Sequence, residues 1–221
     1  MRSRLSLIRT LPLVLGLVVP ALLPPPASAV PPIGFREDWP GTSLQGWGGG
    51  SQTYENPGTG GVDGAGDGYL RIGNSLTAYH LGTVNLDVPY PGNWIAAGIT
   101  HVKVSLNDVG TADALAILFI IANAYSTYQY NPPFIPLHNQ WSEFTVDLTN
   151  PSRFTRIIGT ANLLEVLASV DRVHFRHDLA PYTHGPDLIK GDLGFDRLII
   201  ANLTTPAVTT SWGRIKSLYR K

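Results

Sequence analysis

The stretches HVKVSLN (residues 101–107) and WSEFTVDL (residues 141–148) decide the fold of this chain, because apolar and polar residues alternate along both. Side chains of a β-strand point alternately to its two faces, so this pattern is typical of an antiparallel strand with one buried face. The stretch LAILFIIA (residues 115–122) is apolar throughout, which predicts a central strand covered on both faces.

Other short segments have the composition of strands, and they comprise residues 34–38, 69–72, 79–86, 126–130, 172–176 and 194–201. The 23 glycines and 18 prolines separate these segments, and a long glycine-rich loop is expected at residues 48–68. Many short strands with turn signals between them predict a β-sandwich. Only TANLLEVLAS (residues 160–169) has helical spacing, with Thr160 as its candidate N-cap.

The N-terminal 29 residues have the features of a secretory signal peptide. Arg2, Arg4 and Arg9 precede an apolar run at residues 11–23, and the small residues of ASA follow at 27–29. The run is shorter than the roughly 20 residues that a membrane-spanning helix needs. The sequence therefore predicts a secreted, extracellular or cell-surface protein, with no membrane span after the signal peptide is cleaved.

Charge divides unevenly along the chain. Of the 16 Lys and Arg residues, three lie in the signal peptide and four in the last eight residues, so nine remain between residues 30 and 201 against all 16 Asp and Glu. An acidic body argues against nucleic acid as a partner, because Lys and Arg must neutralise phosphates. The chain has no cysteine, so an exported domain would fold without disulfides.

Five stretches occur in an order that resembles a known family. They are FREDWPGTSLQGW (35–47), YPGNWIAAGITHVKVSLNDVG (90–110), NQWSEFTVDLT (139–149), LLEVLASVDRVHFRHD (163–178) and GDLGFDRLII (191–200). Together they resemble the jelly-roll domains of exported bacterial proteins related to laminin-B-type and galactose-binding-like carbohydrate-binding modules. The resemblance implies an all-β, antiparallel jelly-roll sandwich over residues 30–203 that recognises a ligand without catalysis of its own. A linker (204–211) and a basic tail (212–221) would follow.

Signals for catalysis are absent from the sequence. It contains neither the G-x-S-x-G pattern of a nucleophile elbow nor the H-E-x-x-H pattern of a metalloprotease. His174 and His177 are three residues apart, so a strand would place them on opposite faces. Glu143 and Asp147 would lie about 13 Å apart along their strand, whereas the carboxylates of glycosidases are roughly 5 to 9.5 Å apart. We therefore expect no enzyme.

Asp196 stands out because strand alternation places it on the same face as Leu198 and Ile200, which should point into the core. A buried carboxylate must be paired, hydrogen-bonded or bound to a cation. In jelly rolls of the resembled family, a structural calcium ion is often held between an acid of the first strand and an acid of the last. The resemblance implies Glu37 or Asp38, together with Asp196, as calcium ligands, and Asp67 could contribute from the glycine-rich loop. Backbone N–H donors, or ion pairs with Arg36 or Arg71, are the alternative.

Aromatic residues provide a second candidate site. Tyr128 and Tyr130 fall on one face of a predicted strand, and their rings could stack on the C–H faces of sugars. Further candidates in predicted loops are Trp94, Asn131, Tyr182 and His184. The alternative is that the tyrosines are ordinary sandwich residues and that Trp94 caps the core.

The leading hypothesis from the sequence is a noncatalytic carbohydrate-binding or adhesion-like module whose partner is a polysaccharide or glycan. A structural surface or matrix protein that binds cell-surface proteins is the second hypothesis. A polysaccharide-active hydrolase with an atypical site is the third.

Overall fold

A computed structural model describes residues 32–110 and 113–203. Its two antiparallel sheets pack face to face as a sandwich, so the predicted all-β fold is confirmed. The predicted signal peptide (1–29), linker (204–211) and basic tail (212–221) lie outside the described residues. In the part of the chain that is described, no helix is long and apolar enough to cross a membrane.

The strands are β1 (Arg36–Glu37), β2 (Thr53–Glu55), β3 (Leu70–Asn74), β4 (Gly82–Asn85), β5 (His101–Asp108), β6 (Ile117–Ala122), β7 (Thr127–Tyr130), β8 (Ser142–Asp147), β9 (Phe154–Ile158), β10 (Arg172–His177) and β11 (Gly191–Ala201). One sheet has six strands in the order β2-β3-β11-β5-β8, with β1 paired to β11. The other has five, in the order β4-β10-β6-β7-β9. A 3₁₀ turn (Pro151–Arg153) and one helix, α1 (Leu163–Leu167), complete the regular structure.

Alternation along the strands builds the core as predicted. On β5, Val102, Val104 and Leu106 are buried between the sheets, and Val102 lies opposite Val146 of β8. Every residue of β6 is buried, in agreement with its unbroken apolar run and with its place in the middle of the five-stranded sheet. The sequence therefore predicts the centre of the sandwich correctly.

Two strands were not predicted from the sequence. The short strand β2 lies within residues 48–68, where glycine suggested only a loop, and it pairs with β3. Strand β9 forms the edge of the five-stranded sheet and pairs with β7. Both are edge strands. Strand β2 has only three residues, and the apolar residues of β9, in FTRII, do not alternate regularly with polar ones.

The helix was predicted in the right place but with the wrong N-cap. It begins after Asn162, whose side chain accepts a hydrogen bond from the backbone N–H of Glu165 at 3.0 Å. The Glu165 carboxylate in turn accepts one from the Asn162 N–H at 2.6 Å. This reciprocal capping box, two residues after Thr160, fixes where the helix begins.

A β-bulge in β11 separates the face of Asp196 from the face of Leu198 and Ile200. The pairing with β5 shifts between Asp196 and Ile199, and Arg197 has a positive φ of 48°. Phe195 before the bulge and Leu198 after it both join the core, so alternation is interrupted between them. Asp196 lies opposite Ser105 on the outer face, and the prediction that it shares a face with Leu198 and Ile200 is wrong.

Candidate functional site

A groove of about 310 Å³ crosses the outer face of the five-stranded sheet. All five strands contribute to it, together with loop residues near Gly49 and His184. It is lined by Gly49, Gly50, His80, Leu81, Gly82, Thr83, Val84, Ile120, Thr127, Ile158, Arg172, His174, Phe175, Arg176, His184 and Pro186. Four interstrand spacings of about 4.8 Å make such a groove about 19 Å long.

The register of the sheet explains how the floor of the groove is assembled. His174 of β10 lies opposite Val84 of β4 on one side and Ile120 of β6 on the other. Residues directly opposite each other in an antiparallel pair lie on the same face. An imidazole is thus flanked by two aliphatic side chains, and Ile158 of β9 extends the apolar surface.

Strand β10 places three nitrogen-bearing side chains in a row on this face: Arg172, His174 and Arg176. Burial, followed by the two neighbouring arginines, lowers the pKa of His174 to about 4, so its imidazole is neutral at pH 7. Its Nε2 is buried and has no hydrogen-bond partner in the described part of the chain. His177 belongs to the opposite, buried face, as the three-residue spacing predicted.

Arg176 holds the loop that forms one wall of the groove. Its guanidinium donates to the backbone carbonyls of Thr183 and His184 at 2.7 and 3.0 Å, and to the buried carboxylate of Asp178 at 2.8 Å. A further bond at 3.0 Å reaches the side-chain oxygen of Gln129 on β7. One buried side chain therefore fixes the wall to the sheet.

Three of the predicted ligand-binding aromatic residues lie in the core instead of on a surface, which corrects that prediction. Trp94 is 1% exposed and donates from Nε1 to the Tyr90 carbonyl at 2.8 Å. Tyr128 is 8% exposed, with its hydroxyl bound to the Ala161 carbonyl. Tyr130 is 4% exposed and packs edge-on against Phe154. The side of β7 that carries the tyrosines faces the opposite sheet, so no ring face is free to stack on a ligand.

The other three predicted ligand-binding residues are dispersed. His184 lines the groove. Tyr182 belongs to the same loop and is half-buried, but it does not line the groove. Asn131 donates to the Thr155 hydroxyl at 2.7 Å, away from the groove. The structure thus brings only His184 of the six to this site.

The carboxylates predicted to bind calcium separate into two groups. Glu37 points into the core, where it accepts hydrogen bonds from Tyr90 Oη at 3.0 Å and from Trp47 Nε1 at 3.4 Å. Burial raises the pKa of Glu37 in spite of these bonds. Glu37 is therefore wrong as a ligand next to Asp196, since Glu37 points into the core and Asp196 lies on the outer face of the same sheet.

Asp196 is fully buried although it lies on the outer face, because the glycine-rich loop covers it. Its carboxylate accepts hydrogen bonds from the backbone N–H groups of Val62 and Arg197, both at 2.7 Å. Burial raises the pKa of Asp196 to about 6, outweighing these two bonds, and the nearby charges of Asp67 and Asp38 raise it further. A Cβ on Gly61 would lie 2.6 Å from Asp67 Oδ2 and 2.8 Å from Asp196 Oδ2, so the two carboxylates converge above this glycine.

Other polar side chains form ordinary surface pairs. Glu143 accepts a hydrogen bond from Lys103 at 2.7 Å, and Asp147 lies 3.6 Å from His101. Arg36 pairs with Asp38, whereas Arg71 pairs with Glu55 and Asp192, so neither arginine neutralises Asp196. Within residues 32–110 and 113–203, no group of three or more His, Cys, Asp or Glu side chains is arranged to hold a metal by itself.

Comparison with solved structures finds the same fold in proteins of low sequence identity. The family 11 carbohydrate-binding module of Clostridium thermocellum, in complex with a β-1,3-1,4-mixed-linked tetrasaccharide, superposes with a TM-score of 0.51 and 18% identity. The match covers 76% of this chain and 96% of that module. An exo-β-agarase matches with a TM-score of 0.53 and 11% identity over 74% of this chain and 24% of the agarase. No protein-family model and no curated protein sequence matches the chain. At these identities the similarity shows a shared fold.

Sequence reasoning missed Arg172 and Arg176, although the signal was available. In RVHFR (residues 172–176), two arginines and a histidine alternate with Val173 and Phe175. This alternation predicts a strand with an apolar inner face and a row of nitrogen-bearing side chains outside.

Proposed function

We propose that this protein is a noncatalytic carbohydrate-binding module that holds a polysaccharide chain in the groove across its five-stranded sheet. The observation that carries the proposal is the composition of the groove along its length. Val84 and Ile158 supply apolar surface on either side of the almost fully buried Ile120, and arginine, histidine and threonine side chains lie beside it. Sugar rings have C–H faces that pack on apolar surface and hydroxyl edges that need hydrogen-bond partners, so such a lining suits them.

The shape of the groove favours a chain over a single sugar. A length of about 19 Å across five strands exceeds that of a monosaccharide. The carbohydrate-binding module that shares this fold is described in complex with a tetrasaccharide, which also favours a chain as the ligand.

The lining also favours binding over hydrolysis. Glycosidases cleave with a pair of carboxylates on either side of the scissile bond. No Asp or Glu is among the described residues that line the groove. The proposal places the protein outside the cell, at the surface or secreted, on the strength of the signal-peptide pattern in residues 1–29.

Calorimetric titration against a panel of soluble polysaccharides tests the proposal. Ile158→Ala should weaken binding about three- to tenfold, because it removes methyl and methylene groups that the ligand would cover, at about 0.8 kcal/mol per buried CH₂. The matched control is Ile95→Ala, since Ile95 is also an exposed isoleucine but does not line the groove. Equal losses in both variants, or no binding to any polysaccharide by the wild-type protein, would refute the proposal.

We propose in addition that a structural Ca²⁺ ion is held next to Asp196. Ca²⁺ prefers oxygen ligands, and carboxylates and backbone carbonyls supply most of them. Asp196 and Asp67 converge over Gly61, and Asp38 adds a third negative charge nearby. Side chains alone do not complete a site, so carbonyl oxygens of the glycine-rich loop would have to contribute. The ion would offset the charge of a carboxylate that burial alone destabilises.

A further inference from the structure

The side chains that line the groove carry nitrogen far more often than oxygen. Five of them bear nitrogen: His80, Arg172, His174, Arg176 and His184. Among the side chains that face the groove, oxygen is present only in the hydroxyl of Thr127, because Thr83 lies opposite Phe175 on the inner face. The described lining contains no carboxylate or side-chain amide. Arginine only donates hydrogen bonds and a neutral imidazole has a single acceptor nitrogen, so this lining offers the hydroxyl donors of a neutral sugar few side-chain acceptors.

The two arginines of the groove differ in the number of hydrogen bonds that their guanidinium groups make within the protein. The terminal nitrogens of Arg176 donate to two loop carbonyls, to Asp178 and to Gln129, so few of its donors remain for a ligand. Among the described residues, the Arg172 side chain makes one hydrogen bond, from Nη1 to Asp171 at 2.8 Å, and it is 30% exposed. The exposed part of the Arg172 guanidinium therefore has donors available to a ligand.

Arg172 carries the main positive charge that a ligand in the groove can reach. Asp178, which balances Arg176, is only 2% exposed and does not line the groove. Asp171 pairs with Arg172 from outside the lining. Next to Arg172 on β10 stands His174, whose buried Nε2 has no partner among residues 32–110 and 113–203. A buried polar atom without a partner calls for an explanation, and a hydrogen-bonding group of a ligand would provide one.

We infer that the groove binds an anionic polysaccharide, with carboxylate or sulfate groups along the chain, and that Arg172 pairs with one of these groups. This inference rests on the proposed carbohydrate-binding function and narrows its ligand class. A guanidinium presents a planar fork of donors that matches a carboxylate or sulfate bidentately. The aliphatic residues of the floor would contact the sugar rings between the charged groups.

The inference can be tested with pairs of polymers that differ only in charge. Polygalacturonate is compared with its methyl ester, and dextran sulfate with dextran, at about 0.15 M NaCl so that long-range attraction is screened. The wild-type protein should bind at least one charged polymer about tenfold or more tightly than its uncharged counterpart, as expected of charge-assisted hydrogen bonds. The polymer pair that shows the difference identifies carboxylate or sulfate as the recognised group.

Substitutions of Arg172 test whether this residue causes the preference for the charged polymer. Arg172→Gln should abolish the preference for the charged polymer, and Arg172→Lys, which keeps the charge without the fork, should retain part of it. Lys103→Gln is the matched control, because Lys103 is 27% exposed and has one carboxylate partner at 2.7 Å, but lies on the other sheet. Its affinity should stay within about twofold of wild type, as expected of a charge beyond the screening distance. Melting curves verify that each variant is folded.

The outcomes separate this inference from the function on which it rests. Equal binding of charged and uncharged polymers, with no effect of Arg172→Gln, overturns the inference and leaves the carbohydrate-binding function intact. An equal loss in Lys103→Gln and Arg172→Gln also overturns it, since the attraction would then be unspecific. Binding to none of the polymers, including a β-1,3-1,4-mixed-linked glucan, overturns both.

Discussion

Asp196 shows how one backbone irregularity can hide the face on which a side chain lies. Regular alternation after Leu193 and Phe195 places this carboxylate on the outer face, and the bulge at Arg197 then returns Leu198 and Ile200 to the core. On the outer face the Asp196 carboxylate meets the N–H of Val62 from the glycine-rich loop. The arrangement joins the last strand to a loop more than 130 residues earlier, and it depends on Gly61 having no side chain.

The calcium proposal predicts a specific response in thermal unfolding. EDTA should lower the melting temperature and added Ca²⁺ should restore it, because a ligand that binds only the native state stabilises it. Asp196→Asn should lose the response, since it removes one anionic oxygen ligand. Asp63→Asn is the control within the same loop: Asp63 pairs with Arg197 and is 64% exposed. Identical melting curves with and without EDTA, for protein free of metal by elemental analysis, would contradict the proposal.

The helix and its cap are best considered as one element. Leu163, Val166 and Leu167 bury one side of α1 against the sandwich, which positions the helix, but only the capping box determines where it begins. Asn162 and Glu165 each satisfy a backbone N–H of the other that would otherwise lack a partner.

This geometry predicts unequal effects for two neighbouring alanine substitutions. Asn162→Ala should reduce the free energy of unfolding by about 1 kcal/mol, the usual cost of losing an N-cap side chain. Thr160→Ala should change it by less than about 0.5 kcal/mol, as is typical of exposed positions. Chemical denaturation of both variants measures the difference. A larger effect at Thr160 than at Asn162 would show that the helix begins where the sequence first suggested.

At the scale of the whole molecule, periodicity could predict the sandwich but not the site. Burial depends directly on the alternation in β5 and β8 and on the apolar run of β6. These three strands could therefore be predicted from the sequence. Whether an aromatic residue on a strand faces the core or a ligand depends on which sheet covers it. That is a tertiary property, and it is why Tyr128 and Tyr130 were misjudged.

The groove, by contrast, arises only when β4, β10 and β9 come together in one sheet. Val84 and Ile158 are 74 positions apart in the chain, and each by itself is an ordinary strand residue. Only the row on β10 was visible locally, as the alternation of Arg172, His174 and Arg176. The bulge at Arg197 left no comparable sign, because a non-glycine residue with positive φ is not apparent from composition.

The most direct test of the central claim is an NMR titration that maps where a glycan binds. Amide shifts of ¹⁵N-labelled protein are followed while a galacturonate oligosaccharide and, separately, a β-1,3-1,4-mixed-linked tetrasaccharide are added. The account predicts saturable shift changes concentrated at the groove, around Val84, Ile120, Thr127, Ile158 and His174, from at least one of the two ligands. Changes concentrated instead on the outer face of the six-stranded sheet, around Lys103 and Glu143, or no change with either ligand, would contradict it.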